Sequence, residues 1–299
     1  MKHFLSLQEH SVEDLTAVLD RAATLKASRG DESSEPLKGQ TWALIFSKSS
    51  TRTRVSFEVG IRELGGRAMF LSSRELQLGR GEPIKDTARV LGRMVHGAVI
   101  RTFAHQDIVD FATYSRIPTI NALTDHAHPC QIVADLLTIR EKLGSIHDRV
   151  VTFVGDGACN VATSWIYAAQ KFRFELRIAA PEGFQPDPGL VAASNGTVHV
   201  TTDVKSAATG ADVLYTDVWV SMGMEEEAAN RVELFQGYQL NQETLSLAKD
   251  SALVMHCLPA YRGKEITEEL LEAHQQTVFD QAENRLHAQK GVICWLLGV

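Results

Sequence analysis

Short apolar runs alternate with helical spacing along almost the whole chain. Residues 41–46 (TWALIF), 68–71, 98–103 and 119–123 read as buried strands. Helical patterns over 53–64, 84–94 and 107–114 lie between them. A second series of strand-like runs covers 150–154 (VVTFV), 176–179, 198–201, 213–216 and 253–255. Strand–helix alternation of this kind means parallel sheets covered on both faces. Ser11-Val12-Glu13-Asp14 has the form of a capping box, opening a helix on Leu15, Val18 and Leu19. Residues 30–36 (GDESSEP) form a polar loop before the first strand. A long helical pattern over 128–143 ends at Gly144 and separates the two series. The pattern predicts an α/β protein of two domains, each a parallel sheet flanked by helices, joined by linking helices. The domains are 1–144 and 145–282, and an amphipathic last helix within 283–299 packs back on the first.

Composition narrows the function classes. A chain of 299 residues suits two cores of ordinary size, and 44% hydrophobic content is that of a globular protein. Thirty Lys and Arg against 37 Asp and Glu leave a net charge of −7. Nucleic acid is therefore not the expected partner, because phosphate backbones select basic surfaces. A small anion remains compatible, since a few local cations outweigh a mildly acidic average. The four cysteines (Cys130, Cys159, Cys257, Cys294) have no Cys-x-x-Cys spacing. Reduced thiols in a cytoplasmic enzyme are expected, without disulfides or a metal. No apolar run approaches the ~20 residues of a membrane span, so no membrane is expected.

In open α/β sheets ligands bind beyond the carboxyl ends of the strands, which directs attention to the segments after each run. After TWALIF comes Ser47-Lys48-Ser49-Ser50-Thr51-Arg52-Thr53-Arg54. Hydroxyls, helix-start amides and two arginines suit a phosphate dianion, although a polar loop with an ordinary cap has the same ingredients. The P-loop glycines are absent. After the strand at 119–123 stands His128-Pro129-Cys130-Gln131, with Pro129 at a helix start. There an imidazole would polarise a carbonyl and a side-chain amide would hold an NH₂ group; a capped helix with an incidental His also fits. His126, His128 and Cys130 lack a fourth ligand for a tetrahedral metal. Asp217-Val218-Trp219-Val220-Ser221-Met222-Gly223 follows VLYT and suits an ammonium group, or equally an Asx turn. His256-Cys257-Leu258-Pro259 closes the strand at 253–255. Adjacent strand residues face opposite ways, so His256 and Cys257 do not share a proton directly, and a structural Cys is an alternative.

Gly155-Asp156-Gly157 starts like a dinucleotide fingerprint. Asn160 occupies the third glycine position, and Asp156 stands where the backbone should approach pyrophosphate. An NAD-dependent enzyme is a poor fit.

Taken together and in order, these segments resemble the aspartate/ornithine carbamoyltransferase family. STRTR at 50–54 looks like its carbamoyl-phosphate motif, HPCQ at 128–131 and HCLP at 256–259 resemble two further signatures, and DVWVSMG at 217–223 resembles the mark of the ornithine branch. The resemblance runs from Ser47 to ENRLHAQK at 283–290. It implies transfer of a carbamoyl group from carbamoyl phosphate to the side-chain amine of L-ornithine, giving citrulline and phosphate in arginine biosynthesis, without a cofactor. By position, Ser50, Thr51, Arg52, Thr53 and Arg101 would hold the phosphate. Arg101 and His128 would polarise the carbamoyl oxygen, Gln131 and the Leu258 carbonyl would bind its amide, and Arg285 would close on the same ligand. Asp217, Ser221 and Met222 would bind the α-amino end of ornithine, Asn160 its carboxylate side, and Cys257 would lie beside the δ-amine. Gln77 would reach the ligand from a neighbouring subunit of a trimer-based homo-oligomer. The catalytic set would be Arg52, Arg101, His128 and Cys257, with domain closure bringing the ligands into register. Sister activities on putrescine, aspartate or an N-acylated ornithine are the nearest alternatives; a non-catalytic paralogue is a more distant one.

Overall fold

A computed structural model describes residues 1–31, 35–72, 81–220 and 228–299, with backbone alone at 228–230. Two compact units emerge, one of Met1–Leu137 with Asn284–Val299 and one of Thr138–Glu283.

In the first unit α1 (Val12–Ala27) is capped by Ser11, whose side chain accepts from Asp14 N–H as the capping-box pattern predicts. The chain then alternates: β1 (Thr41–Phe46), α2 (Thr51–Glu63), β2 (Arg67–Ser72), α3 (Ile84–Leu91), β3 (Gly97–Arg101), α4 (His105–Ser115) and β4 (Thr119–Leu123). The strands form a parallel sheet in the order β2-β1-β3-β4. Trp42 on β1 is fully buried against Gly97 of β3, where an added Cβ would lie 2.6 Å from the indole ring. Glycine at 97 is thus a packing requirement, because overpacking a filled core is costly. α5 (Pro129–Leu143) carries the chain from this unit into the next.

The second unit runs β5 (Val150–Val154), α6 (Asn160–Phe172), β6 (Glu175–Ala179), α7 (Pro188–Ala192), β7 (Val198–Thr201), α8 (Val204–Ala208) and β8 (Val213–Thr216). It continues through α9 (Ala228–Leu234), α10 (Gln242–Leu247), β9 (Leu253–His256) and α11 (Glu268–Ala273). Its five parallel strands lie in the order β7-β6-β5-β8-β9 over a core that includes Val154, Leu214, Val254 and Ile266. α12 (Gln275–Leu297) begins in the second unit and returns the chain to the first. It starts eight residues earlier than the amphipathic pattern indicated. Its first turns, from Gln275 on, are largely polar and supply Val278 and Gln281 to the interior of the second unit.

Both sheets are doubly wound, as the strand–helix alternation predicts. Among the described residues no helix is long and apolar enough to cross a membrane. Each strand order reverses once, between β1 and β3 and between β5 and β8. A crevice opens at such a switch point, beyond the carboxyl ends of the two strands.

Candidate functional site

At the first switch point the register sets the geometry. Phe46, the last residue of β1, pairs with Arg101, the last of β3, and Arg101 pairs with Leu123 at the end of β4. The segments that follow β1 and β4, carrying Ser50–Thr53 and His128, therefore emerge beside Arg101. Ser50 caps α2: its Oγ accepts from Thr53 N–H at 3.3 Å, and its hydroxyl donates to Thr53 Oγ1 at 3.0 Å. Arg285 of α12 donates from Nη2 to Thr53 Oγ1 at 2.6 Å and from Nη1 to Gln131 Oε1 at 3.0 Å. Thr53, accepting two hydrogen bonds at Oγ1, keeps its own proton for a further acceptor.

The cluster is buried and cationic. Thr53 and Gln131 are fully buried, and Arg101, His128 and Arg285 nearly so. Burial, then the charges of Arg285 and Arg101, holds the His128 imidazole well below its ordinary pKa. His128 is accordingly neutral at neutral pH, which suits a hydrogen-bond donor to a carbonyl rather than a proton reservoir. Burial pushes the neighbouring Cys130 thiol up to about 12, which makes it an inert filler. Arg52 is partly buried, and among the described residues its Nε is enclosed without a hydrogen-bond partner. A donor so placed is costly unless a ligand takes it.

The expectation that both arginines of STRTR converge fails at Arg54. Its guanidinium turns outward, bonding Glu58 Oε1 at 2.8 Å and stacking 3.8 Å above Phe70. Residues two apart on a helix point roughly 200° apart, so Arg52 and Arg54 cannot face the same ligand.

At the second switch point Val154 of β5 pairs with Thr216 of β8, which pairs with His256 of β9. Gly155, Asp217 and Cys257 thus stand at one level just past the sheet. Gly155 has φ +136°, where a side chain is strained, and turns the chain toward α6 and Asn160 at its start. The Cys257 thiol donates to Asp217 Oδ1 at 2.9 Å, and Val218 N–H donates to the same oxygen at 2.8 Å. Burial nonetheless raises the Asp217 carboxyl above its ordinary pKa, against the opposing pull of His256, Cys257 and Val218.

His256 shares no proton directly with the thiol, because both of its ring nitrogens are bonded elsewhere. Its Nδ1 accepts from Leu258 N–H at 2.8 Å, which fixes the tautomer so that Nε2–H donates to Glu265 Oε1 at 3.1 Å. Leu258 itself lies in the left-handed region at φ +58°. Asp217, His256 and Cys257 each offer an atom within 4.8 Å of the others. A cation there would have to displace the Leu258 or Glu265 bond and the thiol proton.

Several residues escaped sequence reasoning. Asp156, read there only as a misfit in a dinucleotide loop, caps Ala158 N–H and pairs with Arg231 at 2.7 Å. Arg231 also donates to Trp219 O at 3.1 Å, tying the start of the Asp217 segment to the β5 turn. Glu265 and Gln281, both fully buried, brace His256 through its ring and its N–H. Asp135 lies one helical turn beyond Gln131 and accepts from its Nε2 at 2.8 Å; the spacing in HPCQIVAD was a legible signal. Ser50, Thr53, Arg101, His128, Gln131 and Arg285 are gathered in the first unit, Thr51 and Arg52 on the turn they share. Asn160, Asp217, Cys257 and Leu258 stand together in the second. Gln77, Ser221 and Met222 lie outside the described residues.

Comparison with known proteins shows the family. The family model described as aspartate/ornithine carbamoyltransferase, carbamoyl-P binding domain, matches residues 2–141, and its Asp/Orn binding domain counterpart matches 147–296. An ornithine carbamoyltransferase of Akkermansia muciniphila is 54% identical over 299 residues, covering 99% of this chain and 98% of its own. An anabolic ornithine carbamoyltransferase of Pseudomonas aeruginosa is 50% identical, covering 98% and 96%. Among solved structures, anabolic ornithine carbamoyltransferase from Campylobacter jejuni superposes with a TM-score of 0.94 at 40% identity, over 100% of this chain and 99% of its own. Ornithine carbamoyltransferase from Pyrococcus furiosus gives 0.93 at 43% identity, over 99% and 97%. With both halves matched in chain order and relatives alike over their full length, this chain belongs to the aspartate/ornithine carbamoyltransferase family.

Proposed function

We propose that the chain transfers the carbamoyl group of carbamoyl phosphate to the δ-amine of L-ornithine, forming citrulline and phosphate. The observation that carries this reading is the hydrogen-bonded chain Ser50–Thr53–Arg285–Gln131, buried from Thr53 on, beside Arg101 and a neutral His128. It offers hydroxyl and guanidinium donors for a phosphate and both halves of an amide for a carbamoyl group. Ser50, Thr51, Arg52, Thr53 and Arg101 would hold the phosphate. Arg52, Arg101 and His128 would stabilise charge on the carbamoyl oxygen, a preorganised oxyanion site in a dry setting. Gln131 would take the amide, and the Leu258 carbonyl keeps the role its motif implies.

In the second unit the Asp217 carboxylate would bind the α-ammonium of the amino acid, with Asn160 on its carboxylate side. Ser221 and Met222 keep the roles their motif implies, as does Gln77. The δ-amine must lose a proton before attack, its pKa being about 10 by analogy with Lys. Desolvation beside the buried Cys257 favours the neutral amine, and departing phosphate is a sufficient acceptor for the second proton. Relatives named as anabolic support flux toward citrulline, hence a place in arginine biosynthesis, in the cytoplasm. A trimer-based homo-oligomer fits the uncovered Val55 and Met69, 52% and 46% exposed on α2 and β2. Ureido product and phosphate, measured with a panel of amines, test the activity; sedimentation velocity tests the assembly.

A further inference from the structure

We propose that Asp135 is a positioning residue that sets ligand specificity by locking the amide of Gln131 in one of its two orientations. The proposal rests on the reading that the first unit's site takes carbamoyl phosphate. Gln131 is fully buried between two partners of opposite demand. Its Nε2 donates to Asp135 Oδ1 at 2.8 Å, and its Oε1 accepts from Arg285 Nη1 at 3.0 Å. A carboxylate only accepts and a guanidinium only donates. Turning the amide over would set oxygen against oxygen at Asp135 and N–H against N–H at Arg285.

The lock matters because of what else lines the site. Arg52, Arg101, Arg285 and the Thr53 hydroxyl are donors, well matched to phosphate oxygens. The Oε1 of Gln131 has a second lone pair and supplies the acceptor that a ligand NH₂ requires. With Asp135 in place this acceptor is permanently presented beside the donors. A buried acceptor disfavours any ligand that cannot satisfy it, so an acyl phosphate with a methyl group in place of NH₂ is rejected. Asp135 is itself fully buried on the same face of α5, four residues from Gln131, and does this without touching the ligand.

Two stable analogues read the effect: phosphonoacetamide, which carries the NH₂, and acetonylphosphonate, which carries a methyl group. Their affinities and that of inorganic phosphate are measured by calorimetry for the unaltered protein, Asp135→Leu and Asp135→Asn. The unaltered protein prefers the amide by about tenfold or more. Asp135→Leu reduces that preference to within about threefold while inorganic phosphate binding shifts less than about twofold. Asp135→Asn, which still offers an acceptor but no longer forbids the turned amide, is intermediate, and decides the matter alone if the Leu variant fails to fold. Full preference in the substituted proteins overturns the proposal. So does a loss shared equally by all three ligands, which marks general damage. Absence of any preference in the unaltered protein instead removes the carbamoyl phosphate reading on which the inference stands.

Discussion

Arg285 donates from Nη2 to Thr53 Oγ1 at 2.6 Å, joining residues 232 positions apart in the chain. The same guanidinium reaches Gln131 with its other terminal nitrogen, so one side chain of the last helix fastens the turn after β1 to the start of α5. Arg285→Lys should therefore fare little better than Arg285→Ala, since a point-like ammonium cannot reproduce the fork. Each is expected to weaken carbamoyl phosphate binding by about a hundredfold, roughly 3 kcal/mol. Direct binding titrations check this; near-normal affinity in the Lys variant would mean that the fork geometry is unimportant.

Arg52 carries an enclosed Nε with no hydrogen-bond partner among the described residues, on a side chain that is only partly buried. Its removal should leave the fold intact while lowering turnover by about two orders of magnitude or more. Circular dichroism and steady-state kinetics on Arg52→Ala separate the two effects, and unfolding or normal turnover would contradict the assignment. Arg54→Ala should lose far less, since its partners are Glu58 and Phe70.

That contrast marks how far the sequence could be read. The strands TWALIF, TINAL, VVTFV and VLYT are bounded in the structure as their apolar runs indicated, because buried parallel strands announce themselves by their hydrophobicity. Cap chemistry placed Ser11 and Pro129 with similar directness. Which arginine of STRTR faces inward depends on helical phase, and the α2 start lay two residues before the predicted one. The brace of Glu265 on His256 and the pairing of Asp156 with Arg231 rest on side chains meeting through the fold. No periodicity encodes such meetings.

The His128 imidazole is held neutral by burial and by Arg285 and Arg101. Its nitrogen resonances should show no titration near pH 6.5, where an ordinary histidine changes charge. Relieving the Arg285 charge through Arg285→Gln should leave the pKa depressed, since burial is the larger cause. Nitrogen-15 NMR on histidine-labelled protein reads this; a step near 6.5 in the unaltered protein would show a protonated donor.

Asp217 has a folded pKa above its unfolded value, so its ionised form costs stability at neutral pH, and that cost is relieved as pH falls through the raised pKa. Asp217→Asn removes the cost and keeps an acceptor for Cys257 and Val218. The variant should melt higher by about a few degrees, yet lose ornithine binding. In the unaltered protein, ornithine affinity should fall on acidification at a higher pH than an ordinary carboxylate would dictate. A lower Tm in the Asn variant, or retained ornithine affinity, would contradict this role.

Carbamoyl transfer to ornithine is open to a single assay. Purified protein is incubated with carbamoyl phosphate and, separately, L-ornithine, putrescine, L-aspartate and N-acetyl-L-ornithine, and ureido product and phosphate are quantified. Citrulline and stoichiometric phosphate are expected with ornithine, and background levels with the other three. Equal or greater product from another amine would show that the Asp217 half-site has been misread, and silence with all four from folded protein would contradict catalysis itself.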